Sequence, residues 1–332
     1  MDCTQRKIGF CASSDGTRLA YASTGRGLAV LKVCMWLNDI ESEPTSPLWQ
    51  PWITLLSRGR QFVAQDLRGC GLSDRRVENT GVEYWVDDIE AVANAVKLEC
   101  FVLVGLSQGC AAAIEYAARK PERVAGLILC GGYAQGLLKR PSTLAERELG
   151  EALAKMVEFG WGTDHVAFRQ VFTSRFFPDI SVEQNRWANE QMRMCATPAM
   201  AARLLRGPYQ TDVGDAARKI TCSTLVLHSK GDAAVPFDMG CALAGLIPGA
   251  RFVPLESKSH LPPASEPAWA VVKDEVENFL SSIDAAVLAS TLPSLSELST
   301  RERQVLPILP WAGTTRASPK RSASLAKQFA IT

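Results

Sequence analysis

Long apolar runs are missing from this chain. No uninterrupted stretch approaches the ~20 residues that a membrane-crossing helix needs, so no membrane partner is expected. An excess of one charge is missing too: 36 Lys and Arg stand against 35 Asp and Glu, a formal net charge of +1. That balance gives no global case for binding nucleic acid or a membrane surface. Ten cysteines are present, but no C-x-x-C pair, which sets a zinc site aside. Behind Met1-Asp2-Cys3-Thr4-Gln5-Arg6-Lys7 there is no apolar segment of the signal-peptide kind. The expectation is therefore a cytoplasmic protein with its cysteines as free thiols. Histidine is scarce, with three in 332 residues, which shortens any search for a catalytic base. What is there is ordinary: 47% hydrophobic and 21% charged residues, the profile of a globular chain able to bury a substantial core.

Two short strand-like runs, Ile8-Gly9-Phe10-Cys11 and Leu19-Ala20-Tyr21-Ala22, flank an Asp-Gly hairpin signal at Asp15-Gly16. Further strands are expected at 28–33, 61–64, 101–104, 125–129, 223–227 and 251–255, each a short apolar run. Val86, Ile89, Val92 and Val96, spaced by three and four residues, predict an amphipathic helix over 84–97. A last helix is expected over 267–280. Strands alternating with helices after an initial hairpin predict an α/β fold, a mostly parallel central sheet covered by helices on both faces. From about residue 133 to 219 no strand is evident, only helical patterns such as 145–159 and 182–194. An insertion of that length is expected to be a helical subdomain lying over the carboxyl ends of the strands, where open α/β sheets bind ligands.

The stretch Phe101-Val102-Leu103-Val104-Gly105-Leu106-Ser107-Gln108-Gly109 runs from a buried-type strand straight into an alanine-rich helical pattern. A serine between two glycines at such a junction fits a tight strand-to-helix elbow, which exposes Ser107 Oγ and frees the Gln108 N–H at a helix N-terminus. A serine hydroxyl is a weak nucleophile and needs an adjacent base, itself oriented by a carboxylate. Of the three histidines, only His260 sits in a loop just past a strand. His228 reads as a strand-end packing residue and His165 as part of the insertion. Asp232, in the turn Ser229-Lys230-Gly231-Asp232 after the 223–227 strand, falls on the same sheet edge as Ser107 and His260. The other common acid position carries Cys130-Gly131-Gly132-Tyr133 and no acid. Asp66 and Asp74 read as structural turn and loop residues.

With these pieces in place, residues 8–282 resemble an α/β-hydrolase of the helical-cap serine esterase type. The resemblance is carried by Asp66-Leu67-Arg68-Gly69-Cys70-Gly71-Leu72-Ser73-Asp74, the serine elbow, Lys120-Pro121-Glu122-Arg123-Val124, Gly231-Asp232 through Pro236, and Ser259-His260 followed by Glu266-Pro267. It implies Ser107 as nucleophile, His260 as general base and then acid, and Asp232 as the carboxylate that orients it. Two departures stand out. The family usually has His-Gly after the third strand, and this chain has Cys34-Met35-Trp36. The Trp36 N–H would then join the Gln108 N–H in an oxyanion hole, each donor being worth roughly 3–4 kcal/mol. Cys110 replaces a further glycine and is read as helix packing.

Leu298-Ser299-Thr300-Arg301-Glu302-Arg303 resembles the first helix of a LuxR-type helix-turn-helix module. Pro307 and Pro310 interrupt it, so residues 298–332 are expected to be an incomplete, basic tail and 283–297 a linker. DNA is accordingly not expected as a partner, and the composition leaves room for a homodimer. The resemblance implies a carboxylesterase acting through an acyl-enzyme on small or medium acyl esters, a small-molecule substrate, with neither a metal nor an organic cofactor. A lactonase, a C–C hydrolase or a perhydrolase would use the same triad. A ligand-sensing domain of a transcriptional regulator is the alternative of a different class.

Overall fold

Parallel strands must be crossed over by helices, and the order of elements in this chain obeys that requirement. The computed structural model describes residues 6–33 and 35–291. It divides the chain into two compact units, Met1–Phe279 and Leu280–Thr332. The sheet, the insertion and the candidate site all belong to the first.

The strands are β1 (Lys7–Ala12), β2 (Arg18–Thr24), β3 (Ala29–Lys32), β4 (Gln61–Gln65), β5 (Phe101–Leu106), β6 (Val124–Cys130), β7 (Thr224–Ser229) and β8 (Arg251–Leu255). They form one sheet in the order β1-β2-β4-β3-β5-β6-β7-β8. The β1–β2 and β2–β4 pairs are antiparallel, and every pair from β4–β3 to β7–β8 is parallel. The helices are α1 (Gln50–Ser57), α2 (Val82–Ala95), α3 (Gly109–Arg119), α4 (Leu144–Gly160), α5 (Ala167–Phe176), α6 (Val182–Cys195), α7 (Pro198–Arg206), α8 (Gly214–Ala217), α9 (Phe237–Leu246) and α10 (Ala268–Thr291). All six residues of β5 are buried, as the unbroken apolar run requires of a strand covered on both faces.

Between β6 and β7 lies the helical insertion, whose main helices are α4 to α7. Three of them begin at capping side chains. Thr143 accepts from Glu146 N and Ser181 from Gln184 N, both as reciprocal capping boxes, and Thr197 accepts from Met200 N with Pro198 at the first helical position. Two boundaries differ from the sequence expectation. α5 and α7 are additional short helices, and α10 does not stop at Leu280 but continues to Thr291, through residues counted above as the start of a linker. No proline or glycine interrupts the stretch from Ser281 to Thr291, so nothing ends the helix there. The helix-turn-helix-like tail, 298–332, lies outside the described residues.

Parallel pairing gives the strand ends a common edge. Leu106 pairs with Cys130, Cys130 with Leu227, and Leu227 with Val253. The loops that follow these residues therefore emerge side by side, and they carry Ser107, Asp232 and His260. Asp66 and Asp74 hold the loop after β4, Asp66 by accepting from Ile40 N at 2.7 Å and Leu72 N at 2.8 Å, Asp74 by accepting from Arg18 N at 2.9 Å. Among the described residues no helix is long and apolar enough to cross a membrane.

Candidate active site

Ser107 is held in the left-handed region at φ +54°, a conformation that costs a non-glycine residue of order 1–2 kcal/mol and is kept only where the surroundings enforce it. The enforcement is visible on both sides of the residue. The Ser107 N–H donates to Cys130 O at 2.8 Å, and Ser107 O accepts from Cys110 N at 3.0 Å as α3 begins. A Cβ on Gly105 would sit 2.7 Å from Cys110 Cα, so strand and helix close on each other only over a glycine. Cys110 fills the space beneath the elbow. Its thiol is fully buried, donates to Gly105 O at 3.2 Å, and is pushed up in pKa by that burial, which leaves it an inert packing group.

Asp232 and His260 meet at that elbow's edge. His260 Nδ1 donates to Asp232 Oδ2 at 2.6 Å, and both residues are buried. Asp232 Oδ1 accepts from Ala234 N at 2.8 Å and Val235 N at 3.0 Å, so the turn's own backbone aims the carboxylate. Burial works to raise the Asp232 pKa, but the His260 ring and these two N–H groups outweigh it and hold the carboxyl below its ordinary value. With Nδ1 donating, a neutral His260 ring keeps its lone pair on Nε2, and that buried nitrogen has no partner among the described residues. His228 backs the pair. Its Nε2 donates to Val235 O at 3.0 Å and lies 3.5 Å from Asp232 Oδ2. Burial lowers its pKa, so it is a neutral neighbour of the carboxylate. Gly240 on α9 makes the room, since a Cβ there would lie 2.3 Å from His228 Nδ1.

The His260 loop is clamped by Glu266, a residue of the Glu266-Pro267 motif to which the sequence alone gives no role. Both oxygens of Glu266 accept hydroxyl bonds, from Ser257 Oγ and from Ser259 Oγ, each at 2.5 Å. The insertion fixes the other side. His260 N donates to Phe176 O at 2.8 Å, and the Phe176 ring lies 5.8 Å from the imidazole centroid. At Gly131 (φ +64°) an added Cβ would lie 2.7 Å from His260 Cε1, which accounts for a glycine, rather than an acid, at the end of β6.

Ser107, Trp36 and Phe176 line two adjoining cavities. The larger, about 310 Å³, adds Gln108 and apolar residues of the insertion such as Leu149 and Phe172. The smaller, about 40 Å³, adds His260, Trp49 and Met192. The backbone N–H groups of Trp36 and Gln108 make no backbone hydrogen bond among the described residues. The Trp36 ring is anchored in the insertion, donating through Nε1 to Ala201 O at 3.0 Å and packing 5.3 Å from Trp161 and 5.2 Å from Phe172. In the loop after β3 the left-handed residue is Leu37 (φ +56°), without the glycine that the family pattern puts nearby. His165 is exposed, away from this cluster. Among the described residues no group of three or more His, Cys, Asp or Glu is placed to hold a metal ion.

Comparison with known proteins agrees with this frame. A family model described as alpha/beta hydrolase fold matches residues 40–267. A pimeloyl-acyl-carrier-protein methyl ester esterase of Neisseria meningitidis is 30% identical over 215 residues, 62% of this chain and 68% of that one. A 2-hydroxy-6-oxo-2,4-heptadienoate hydrolase of Pseudomonas putida is 28% identical over 220 residues, 62% of this chain and 75% of that one. Among solved structures, a thermophilic esterase from Thermogutta terrifontis matches with a TM-score of 0.66 at 28% identity, over 84% of this chain and 99% of that one.

Proposed function

We propose, from the premise that the chain belongs to the α/β-hydrolase fold family, that it is a serine carboxylic-ester hydrolase working through an acyl-enzyme on small or medium acyl esters. The observation that carries this reading is the Asp232–His260 pair, whose partnerless Nε2 borders the same cavity as the left-handed Ser107. Ser107 Oγ attacks the ester carbonyl while His260 Nε2 takes its proton. The tetrahedral oxyanion is met by the N–H groups of Gln108 and Trp36, each worth about 3–4 kcal/mol in the transition state. His260 returns the proton to the leaving alcohol, then draws a proton from water so that hydroxide attacks the acyl-enzyme. Asp232 holds the ring in the tautomer that both half-reactions need.

The curated esterase at 30% identity and the solved esterase at 28% support ester chemistry. The Pseudomonas putida 2-hydroxy-6-oxo-2,4-heptadienoate hydrolase, at 28% identity, supports the carbon–carbon reading to a similar degree, since that chemistry asks for the same three side chains. The cavity at Ser107, about 310 Å³, favours short chains over long ones. The test is hydrolysis of p-nitrophenyl esters from C2 to C12. The expected profile peaks at C4 to C6 and falls at least about tenfold by C12, several methylenes beyond what the cavity covers. A flat profile, or an optimum at C12, would contradict the sizing; no turnover across the series would remove the esterase reading.

A further inference from the structure

We propose that Arg175 makes an anion subsite in the larger cavity, and that the preferred substrates are esters whose acyl chain ends in a carboxylate, half-esters of short dicarboxylic acids. This rests on the serine-hydrolase reading above and names its substrate class. Three charged side chains line that cavity: Arg140, Glu146 and Arg175. Two of them answer each other. Glu146 lies 3.3 Å from Arg140 Nη1 and is also bound into the Thr143 capping box. Arg175 has no carboxylate partner among the described residues. Its one recorded hydrogen bond runs from Nη2 to Ala233 O at 2.7 Å, a neutral acceptor that fixes the guanidinium and leaves the rest of its five-donor fork unused.

That anchor places the cation close to the chemistry. Ala233 follows Asp232, and Phe176, next to Arg175 on α5, faces the His260 ring. Tyr209, whose hydroxyl donates to Gly150 O at 3.1 Å, lies on the same cavity wall. A second donor lines the same cavity: the Gln108 side-chain Nε2 is buried and has no partner among the described residues. The remaining wall is largely apolar, with Leu137, Leu153, Leu205 and Met239 among its residues. A half-buried guanidinium in such a wall, with no counter-ion of its own, is a place where a ligand carboxylate gains a charge-assisted, bidentate pairing. A neutral acyl chain would cover the cation without pairing it, at a cost in desolvation.

The test compares mono-p-nitrophenyl glutarate with p-nitrophenyl valerate on wild type, Arg175→Gln and Arg175→Lys, together with calorimetric binding of glutaramate, which carries the carboxylate but no ester. The proposal expects wild type to favour the glutarate ester in kcat/KM, and Arg175→Gln to lose about 10- to 100-fold on it but only a few-fold on valerate. Arg175→Lys should recover part of the preference, and added salt should weaken it in wild type and Arg175→Lys but not in Arg175→Gln. An equal loss on both esters would make Arg175 a clamp on the Ala233 turn and overturn the subsite. If wild type cleaved neither ester, the serine-hydrolase reading would fall. Glutaramate binding that disappears in Arg175→Gln would still uphold the anion subsite, and no glutaramate binding to wild type would overturn it.

Discussion

Changing Ser107 to alanine is expected to lower kcat on p-nitrophenyl butyrate by about 10⁶-fold, to the residual rate that binding and an oxyanion hole sustain without a nucleophile. The size of the effect follows from the arrangement around the residue. Ser107 is the hydroxyl that borders both cavities, and His260 Nε2 has no other partner among the described residues. The two cysteines packed beside the elbow, Cys110 and Cys130, are buried, and burial raises both thiols, so neither stands in for Ser107. The loss should come without unfolding, because alanine keeps the Cβ that the elbow already accommodates at φ +54°. Unchanged thermal unfolding with turnover gone is the expected pair of results. A variant that kept more than about a hundredth of wild-type kcat would mean another nucleophile, and the assignment of Ser107 would be wrong.

Asp232→Asn is expected to cost about 10⁴-fold in kcat with little change in KM. The reason is directional. Oδ1 receives the Ala234 and Val235 N–H groups, so an asparagine keeps its oxygen there and turns its NH₂ toward His260. A donor now faces Nδ1, the proton moves to Nε2, and the ring can no longer accept from Ser107. Linkage gives the variant a second signature. The folded-state pKa of Asp232 lies below the ordinary value of 3.8. The stability it contributes is therefore fully present above that value and lost as pH falls through the lower folded pKa. Unfolding measured at pH 6 and near pH 3 should show a wild-type loss that is smaller in Asp232→Asn. For the same reason Asp232 stays ionised above pH 4, so an acid limb in the rate at higher pH belongs to another group.

Most of the sheet was legible because its signals are local. Apolar runs bounded by glycine and charged turns marked every strand, and the elbow's glycines announced a turn that only they allow. The Gly105–Cys110 approach of 2.7 Å is the physical content of that motif. Asp232 and His260 were found by their place after strands, and parallel pairing explains why place suffices: residues that end neighbouring strands emerge together. What escaped notice depends on long-range contact. Glu266 acts by reaching back to Ser257 and Ser259, and nothing about a lone glutamate before a proline marks it as a clamp. Phe176 and Arg175 sit on α5, a helix with no capping side chain and a weak apolar stripe, so neither its position over His260 nor its cation in the cavity could be anticipated. His228 had the signal of a packing residue and is one, but the group it packs against is the Asp232 carboxylate. The sequence points to Trp36 only through its backbone N–H, while its ring ties the loop after β3 to the insertion.

The most direct test of the central claim is to trap the nucleophile. Wild-type protein is treated with diethyl p-nitrophenyl phosphate, release of p-nitrophenolate is followed, and the product is digested and mapped by mass spectrometry. A hydrolase built on Ser107 gives one diethylphosphoryl group per chain, on the peptide containing Gly105-Leu106-Ser107-Gln108-Gly109, with esterase turnover lost in step, and gives none in Ser107→Ala. Modification of a different residue accompanied by loss of turnover, or esterase turnover that persists with Ser107 fully modified, would contradict the account.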